Sequence, residues 1–206
     1  MLSRSARSIG VAVVVGATVF GSTQASATAA VDGLQREIDK VLAESEGGVQ
    51  ISRNEIAWHD GEAIMTFALP GERRAPVSSP AAQRLQARAA GLPESTRERE
   101  GTALAADNCP TEVFGNDWYC FYQYPNWEGR RLAWNMPKTR FVNFSDYGFV
   151  NMTSSWSNKG EMNIRVYGRT RAGDDNSCID PLWVEAPHTT DARANADNAA
   201  DCFLAA

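Results

Sequence analysis

Four cysteines constrain this 206-residue chain more than any other feature, because all of them fall in its carboxy-terminal half: Cys109, Cys120, Cys178 and Cys202. An even number of cysteines is typical of disulfide-bonded proteins that fold outside the reducing cytoplasm. A zinc site would need closely spaced ligand pairs, and neither the cysteines nor His59 and His188 supply them. The cysteines therefore predict two disulfides in a small exported domain.

The amino-terminal segment also predicts export. Arg4 and Arg7 precede an apolar run over residues 9–20, and the small residues that a signal peptidase selects follow at Ala25-Ser26-Ala27. A membrane-spanning helix needs about 20 apolar residues, so this run is too short to remain as an anchor. We therefore interpret residues 1–27 as a secretory signal peptide and expect an extracellular protein that begins near Thr28, without membrane association after cleavage.

Charge and motifs argue against several classes of function. The chain has 20 basic and 25 acidic residues, a net charge of -5, and no basic stripe that would favour nucleic acid. The sequence also lacks Gly-x-Ser-x-Gly, His-Glu-x-x-His and a phosphate-binding glycine loop, and both histidines fall in predicted turns. A carboxylate pair such as Glu112 and Glu128 would hydrolyse sugars only if folding placed the two about 5 to 9.5 Å apart. We expect a protein that is not an enzyme.

Residues 28–69 predict a small α+β unit, a helix followed by a hairpin. Asp32 is the expected helix N-cap and Gly47-Gly48 the expected stop, with one apolar face made by Leu34, Ile38, Val41 and Leu42. Asp60-Gly61 is a hairpin turn that pairs Trp58 with Ala63 and Ile56 with Met65, on the face that would receive the helix. Without a disulfide such a unit is marginal alone, so we expect it to lean on a partner or to act as a pro-region.

Residues 70–108 are rich in Ala, Arg, Pro and Glu and contain few large apolar residues, which predicts a flexible linker. A short helix is expected from about Pro80 to Ala90, with Ser79 as its cap and Gly91 as its terminator. Arg73-Arg74 and residues 97–99 would be open to proteases in such a segment. Residues 28–108 are thus either a removable pro-region or a permanent spacer.

From Cys109 to Ala206 the pattern is all-β. Aromatic and β-branched residues alternate with Gly, Asn, Asp and Pro at intervals that suit a sandwich of short strands. Within this domain Tyr122, Trp127 and Gly129 follow the pattern aromatic, four residues, aromatic, one residue, glycine. Residues 146–158 resemble the return segment of a βγ-crystallin Greek key, in which a serine such as Ser154 or Ser155 bonds back to the hairpin.

These motifs resemble the signature of the βγ-crystallin Greek key. They are most similar to the secreted peptidase inhibitors typified by the streptomycete metalloproteinase inhibitor, which share that fold. The resemblance covers about residues 109–167. The second key is weaker, because Val166-Tyr167 is followed by Gly173 with no aromatic residue between them.

The resemblance implies a βγ-crystallin-like Greek-key sandwich with one disulfide per key, Cys109 to Cys120 and Cys178 to Cys202, among the three pairings that four cysteines allow. It also implies a monomeric inhibitor of an extracellular peptidase, with a metalloprotease as the first choice of target. Such an inhibitor inserts a rigid, substrate-like loop into the active-site cleft. The reactive bond is not carried over by any motif. Residues 136–140 and Ser157–Gly160 are the candidate segments.

Calcium is the one cofactor to consider, since many βγ-crystallin domains bind it through Asn/Asp, Asn/Asp, two residues, Ser/Thr and Ser. The two candidate copies are residues 150–155, where Val150 replaces the leading ligand, and residues 197–202. The candidate ligands are Asn151, Ser154, Asp197 and Asn198. Calcium takes six to eight oxygen ligands, more than these residues offer. In the alternative interpretation Asn151, Ser154 and Ser155 only satisfy backbone groups at the turn.

Two other functions remain open. An exposed row of Trp118, Trp127 and Trp134 would stack on sugar rings and indicate a carbohydrate or cell-wall binding module. Trp127 and Trp134 also fit positions in the core. The third alternative is a calcium-binding structural domain without an inhibitory role.

Overall fold

The computed structural model describes residues 23–89, 91, 106–110, 118–135, 137–169 and 178–206. The predictions that concern residues 1–22, residues 97–99, Glu112, Met136 and Gly173 lie outside the described residues. Among those that are described, no helix is long and apolar enough to cross a membrane.

The described residues form two antiparallel β-sheets and two α-helices. In chain order the elements are α1 (Thr23–Glu44), β1 (Val49–Ser52), β2 (Glu55–Trp58), β3 (Ala63–Thr66), α2 (Pro80–Ala89), β4 (Tyr119–Tyr124), β5 (Glu128–Trp134), β6 (Lys138–Asn143), β7 (Ser155–Asn158), β8 (Ile164–Arg169), β9 (Cys178–Glu185), β10 (Thr189–Asp191) and β11 (Cys202–Ala205). The first sheet has seven strands in the order β1-β2-β3-β5-β4-β7-β10, and the second has four in the order β6-β11-β8-β9. The predominantly β architecture agrees with the sequence pattern.

The predicted register of the first hairpin is confirmed. Trp58 pairs with Ala63 and Ile56 with Met65, and these side chains share a buried cluster with Ile38 and Val41 of α1. The helix begins at Thr23, nine residues before Asp32, so Asp32 lies inside the helix and is not its N-cap. Alanine-rich residues before Asp32 favour the helical conformation, which explains the earlier start. The predicted cleavage site after Ala27 therefore falls within α1.

The hairpin belongs to the same sheet as the strands of the carboxy-terminal half. Strand β3 pairs with β5, and Met65 lies opposite Leu132. All four side chains of β3 are buried, because one face of the strand packs in the core between the sheets and the other packs beneath α2. The helix and the hairpin thus share one sheet and one core with the rest of the chain instead of forming a unit of their own.

The predicted short helix is present as α2. The Ser79 hydroxyl accepts a hydrogen bond from the Ala82 N–H at 3.2 Å, and Gly91, with φ of 69°, follows the end of the helix. The residues on either side of α2 do not form a flexible linker where the structure describes them. Residues 73–76 and 106–109, which we call the strap, pack on the outer face of the seven-stranded sheet.

Contacts with the sheet hold the strap in place. Gly129 N–H donates to the Arg73 carbonyl at 2.8 Å, and the Asn108 side chain joins the two halves of the strap by donating to the Ala75 carbonyl at 2.9 Å. Asp107, 4% exposed, accepts hydrogen bonds from Ser157 and Lys159. The strap is therefore an integral part of this face of the sheet.

Strands β4–β7 and β8–β11 repeat one arrangement. In each set the fourth strand lies beside the first and the first beside the second, while the third strand lies in the other sheet. Strand β6 thus pairs with β11, and β10 pairs with β7. The turns before the two fourth strands are linked reciprocally, because Asn151 N–H donates to the Ala200 carbonyl and Asn198 N–H to the Thr153 carbonyl. The two halves of the sandwich are therefore interlocked.

Both predicted disulfides are present, Cys109 to Cys120 and Cys178 to Cys202. The first ties the strap, through Cys109, to Cys120 of β4, and it lies in a small buried cluster with Trp118, Tyr122 and Ala133. The second links β9 to β11 across β8. Between the two sheets an aromatic core is built around Trp134 and Phe203, whose ring centroids are 4.8 Å apart. This core fixes the positions of the loops and edge strands described next.

Candidate functional site

The connection between β4 and β5 is a tightly folded hairpin built on Trp127 and Gly129. Gly129 has φ of 74°, and a Cβ placed on it would lie 2.7 Å from Cδ2 of Tyr124, a distance that real side chains do not reach. Trp127 packs against the buried cluster that contains Tyr122 and the first disulfide. The three residues of the sequence motif therefore shape this turn together.

Two serines close the folded hairpin from β7. The hydroxyl of Ser154 donates to the Gln123 carbonyl at 2.9 Å, and that of Ser155 donates to the Tyr124 carbonyl at 2.7 Å. The Ser155 hydroxyl also accepts the Trp127 N–H at 3.1 Å. Both serines thus have the role that the sequence motif gave to one of them, and these bonds are a structural use of the turn.

The structure brings some of the candidate calcium ligands together. Ser154 Oγ lies 3.3 Å from Asn198 Oδ1, and Asn151 and Asn198 both adopt a left-handed backbone conformation in the two reciprocal turns. Asp197 is exposed beside them. Among the described residues no group of three or more His, Cys, Asp and Glu is placed to hold a metal. Calcium binding by the amide and hydroxyl oxygens of these turns stays a prediction.

The row of exposed tryptophans that a carbohydrate-binding module would use is not formed, and the alternative placement of Trp134 in the core is confirmed. Trp118 is 1% exposed and Trp134 is 0% exposed, since both lie in hydrophobic clusters. Trp127 is partly buried, and its indole N–H is within hydrogen-bonding distance of Thr190 Oγ1, at 3.1 Å. These three rings therefore offer no shared platform for a sugar.

The remaining polar candidates are spread over the surface. His59 and His188 are exposed turn residues, and His188 Nε2 lies 2.8 Å from Glu161 Oε1. Glu128 pairs with Arg73 at 2.9 Å. Glu128 is thus engaged with the strap.

An open surface cavity of about 420 Å³ lies between β8 and β9 on the outer face of the four-stranded sheet. Its lining includes the aromatic side chains Tyr167 and Trp183 and the polar side chains Asn163 and Arg165. The cavity is therefore mixed in character, with aromatic walls and hydrogen-bond donors.

Of the two candidate reactive segments, Ser157–Gly160 is not available for contact. Ser157 and Asn158 belong to β7 and are 0% and 1% exposed. The Asn158 amide donates to three backbone carbonyls, those of Met162, Glu185 and Ala186. A reactive loop must be exposed, whereas in this segment only Lys159 is partly exposed, so the prediction that residues 157–160 form the reactive loop is wrong.

The other candidate segment runs into β6, an edge strand with an irregular pairing. Lys138 pairs with Ala205 and Val142 with Phe203. The three residues between them on β6, Thr139, Arg140 and Phe141, face the single residue Leu204 on β11. All three are exposed, and we call them the edge bulge.

Both ends of the edge bulge are fixed. At one end Lys138 Nζ forms an ion pair with Glu62 at 2.7 Å. At the other end Asn143 pairs with Cys202, which the second disulfide ties to β9. The Phe141 ring makes an edge contact with Tyr167 at a centroid distance of 5.2 Å. The bulge is thus a short exposed segment held by a rigid frame. The sequence motifs did not predict it, and only its position between two predicted strands suggested residues 136–140 as a candidate.

Arg131 and Glu185 are two of the ionisable side chains that are fully buried in the frame. Burial lowers the pKa of Arg131, which donates hydrogen bonds to the carbonyls of Pro76 and Asn108 in the strap. Burial also raises the pKa of Glu185 well above its ordinary value, against the opposing effect of the hydrogen bond from Trp183 Nε1. These groups serve the frame, since neither reaches the edge bulge.

Comparisons of the chain with protein-family models, with curated proteins and with solved structures find no match. Function must therefore be inferred from the residues and from the geometry of the site. The likeness to the βγ-crystallin inhibitors stays a resemblance of motifs.

Proposed function

We propose that this protein is a secreted, non-catalytic inhibitor of an extracellular peptidase and that the edge bulge enters the enzyme's cleft. The observation that carries the proposal is a segment of three exposed residues whose two ends are fixed by strand pairing, an ion pair and a disulfide. A segment that is already ordered loses little conformational freedom when it binds, which strengthens binding. An exposed sheet edge also supplies backbone groups that an extended partner segment can bond.

We also propose that the two sheets form a βγ-crystallin-like Greek-key sandwich. In a Greek key the fourth strand returns to lie beside the first, and both four-strand sets have this order apart from the third strand, which crosses to the other sheet. The folded hairpin at Gly129 and its closure by Ser154 and Ser155 support a βγ-crystallin-like sandwich. By the resemblance of motifs, a metalloprotease is the first class of target.

The frame explains how such a segment would resist a peptidase. Strand β11, the neighbour of the bulge, is tied to β9 through Cys202 and Cys178 and packs Phe203 into the aromatic core. If the enzyme cut one bond in the bulge, both new ends would stay in position. The enzyme would then hold its product, as an inhibited complex does.

We propose that the protein is extracellular and monomeric. Two disulfides, and the absence of a membrane-spanning helix among the described residues, fit an extracellular protein. Secretion itself is proposed from the signal-like residues 1–27, and a monomer from the resemblance.

The test uses the exported, oxidised protein and a panel of three enzymes, a thermolysin-like metalloprotease, a subtilisin-like peptidase and a trypsin-like peptidase. We expect stoichiometric inhibition of at least one. A variant with glycine at Thr139, Arg140 and Phe141 should lose the inhibition but keep the far-UV circular dichroism spectrum. The control is Val184→Gly, a change at a 57% exposed residue on the other edge strand of the same sheet. Failure of the parent protein to inhibit any of the three would refute the proposal.

A carbohydrate-binding function is the second candidate, and the cavity beside β8 and β9 is the observation that favours it. Tyr167 and Trp183 would stack on a sugar ring while Arg165 and Asn163 bond its hydroxyls. Retention on insoluble chitin or cell wall that is lost in Tyr167→Ala, together with no inhibition of the peptidase panel, would favour this function.

A further inference from the structure

We infer that the target is a peptidase that cleaves after arginine and that Arg140 fills its specificity pocket. The inference rests on the proposed function. It names a class of enzyme other than the metalloprotease that the motif resemblance implies. The side chains in and beside the edge bulge differ in their contacts with the described residues, and only Arg140 is left free to enter a pocket.

The long side chains near the bulge differ in how they are engaged. Lys138 is bound to Glu62, and its side chain is 19% exposed. Phe141 is 45% exposed and has its ring against Tyr167. Arg140 is exposed, and among the described residues its guanidinium has neither a hydrogen bond nor an ion pair. Of these three side chains, only that of Arg140 is free to enter a pocket without breaking a contact.

The unpaired charge of Arg140 also favours an enzyme with an acidic specificity pocket. The chain has 25 acidic residues, yet no described carboxylate is paired with Arg140. A guanidinium gains most from two parallel hydrogen bonds to one carboxylate. A specificity pocket with an aspartate at its base, as in trypsin, supplies that partner. A peptidase with such a pocket is therefore complementary in charge to Arg140.

With Arg140 in the specificity pocket of an enzyme that cleaves after arginine, the peptide bond that faces the catalytic groups is the one between Arg140 and Phe141. On attack, the serine oxygen of the enzyme bonds to the Arg140 carbonyl carbon, the bond to the Phe141 nitrogen breaks, and the serine proton passes through the histidine to that nitrogen. Phe141 stays near because Tyr167, the pairing of Val142 with Phe203 and the second disulfide all hold it. The retained amine can then attack the ester and restore the peptide bond and the serine hydroxyl.

The experiment measures inhibition constants of the exported protein for trypsin, thermolysin and subtilisin. Trypsin should be inhibited stoichiometrically. Arg140→Lys should keep the inhibition within about tenfold, whereas Arg140→Ala should weaken it by about 100-fold or more, as expected for a central interface residue. The control is Arg193→Ala, which removes another exposed arginine, away from the edge bulge and from the cavity, and should change nothing. Mass spectrometry after long incubation should find slow cleavage after Arg140.

The possible failures are distinguishable. Inhibition of thermolysin or subtilisin that Arg140→Ala leaves unchanged would overturn the role of Arg140 and keep the proposed function. Rapid cleavage after Arg140 without inhibition would overturn the inference, since the bulge would then be only a substrate. No inhibition of any enzyme would overturn both.

Discussion

Replacing Arg131 with methionine would test whether the strap is part of the fold. Arg131 is 1% exposed, and it donates to the Pro76 carbonyl at 2.9 Å, the Asn108 carbonyl at 2.5 Å and Thr66 Oγ1 at 3.2 Å. Two of these three acceptors, the carbonyls of Pro76 and Asn108, lie in the two halves of the strap. Methionine keeps much of the apolar stem but removes all three donors.

Two opposing effects set the size of the loss. A hydrogen bond to a charged group contributes about 1.5 to 3 kcal/mol, so three independent bonds would exceed 4 kcal/mol. Removal of the cation also removes the penalty for burying it, the same penalty that lowers the pKa of Arg131. The freed carbonyls can also bind water once the strap loosens. We therefore expect the free energy of unfolding to fall by about 3 kcal/mol, near the lower end for breaking a buried ionic network.

Urea unfolding followed by tryptophan fluorescence measures that free energy, and limited proteolysis reports on the strap. Arg131→Met should unfold at lower urea and should be cut faster near Arg73-Arg74. Arg193→Met, a change at an exposed residue, is the control and should shift stability by less than about 0.5 kcal/mol. A loss below about 0.5 kcal/mol in Arg131→Met with unchanged cleavage would show that the strap does not depend on this arginine.

Two further predictions concern single buried positions. The raised pKa of Glu185 means that the folded protein keeps its proton at a pH where the unfolded chain has released it. The free energy of unfolding should then fall above about pH 4.3 by up to 1.36 kcal/mol per pH unit, and Glu185→Gln should remove that slope; parallel pH profiles for the two proteins would contradict this. Gly129→Ala should lower the free energy of unfolding by about 1 to 3 kcal/mol, more than Gly71→Ala, which has a similar positive φ but open space around it; equal losses would show that the contact with Tyr124 is unimportant.

Local patterns in the sequence predicted the elements whose partners are near in the chain. The Asp60-Gly61 turn fixed the register of the first hairpin, and Ser79 with Gly91 marked the ends of α2. The motif of Tyr122, Trp127 and Gly129 identified the folded hairpin because a glycine is needed where a Cβ would collide. These features depend on backbone geometry, which a few neighbouring residues determine.

The joining of the two halves into one sheet could not be derived in the same way. Residues 63–66 are buried on both faces, and the short apolar run Ala63-Ile64-Met65 was the one signal that β3 is a central strand. The burial of Arg131 depends on carbonyls more than 20 residues away, so composition alone made the strap look like a linker. The candidate segment at residues 136–140 overlaps the edge bulge only in Thr139 and Arg140, because the bulge arises from a mismatch in length between two distant strands.

The pairing of β6 with β11 also determines when, during folding, residues 139–141 become ordered. Asn143 and its partner Cys202 are about 60 residues apart in sequence, and contacts over such distances form late in folding. A nascent or partly folded chain would therefore carry residues 139–141 as an ordinary unstructured stretch that any protease can cut. Only the fully folded sandwich presents them as an ordered segment. The long-range pairing of β6 with β11 therefore separates, in time, the stage at which this segment is easily cleaved from the stage at which it is ordered.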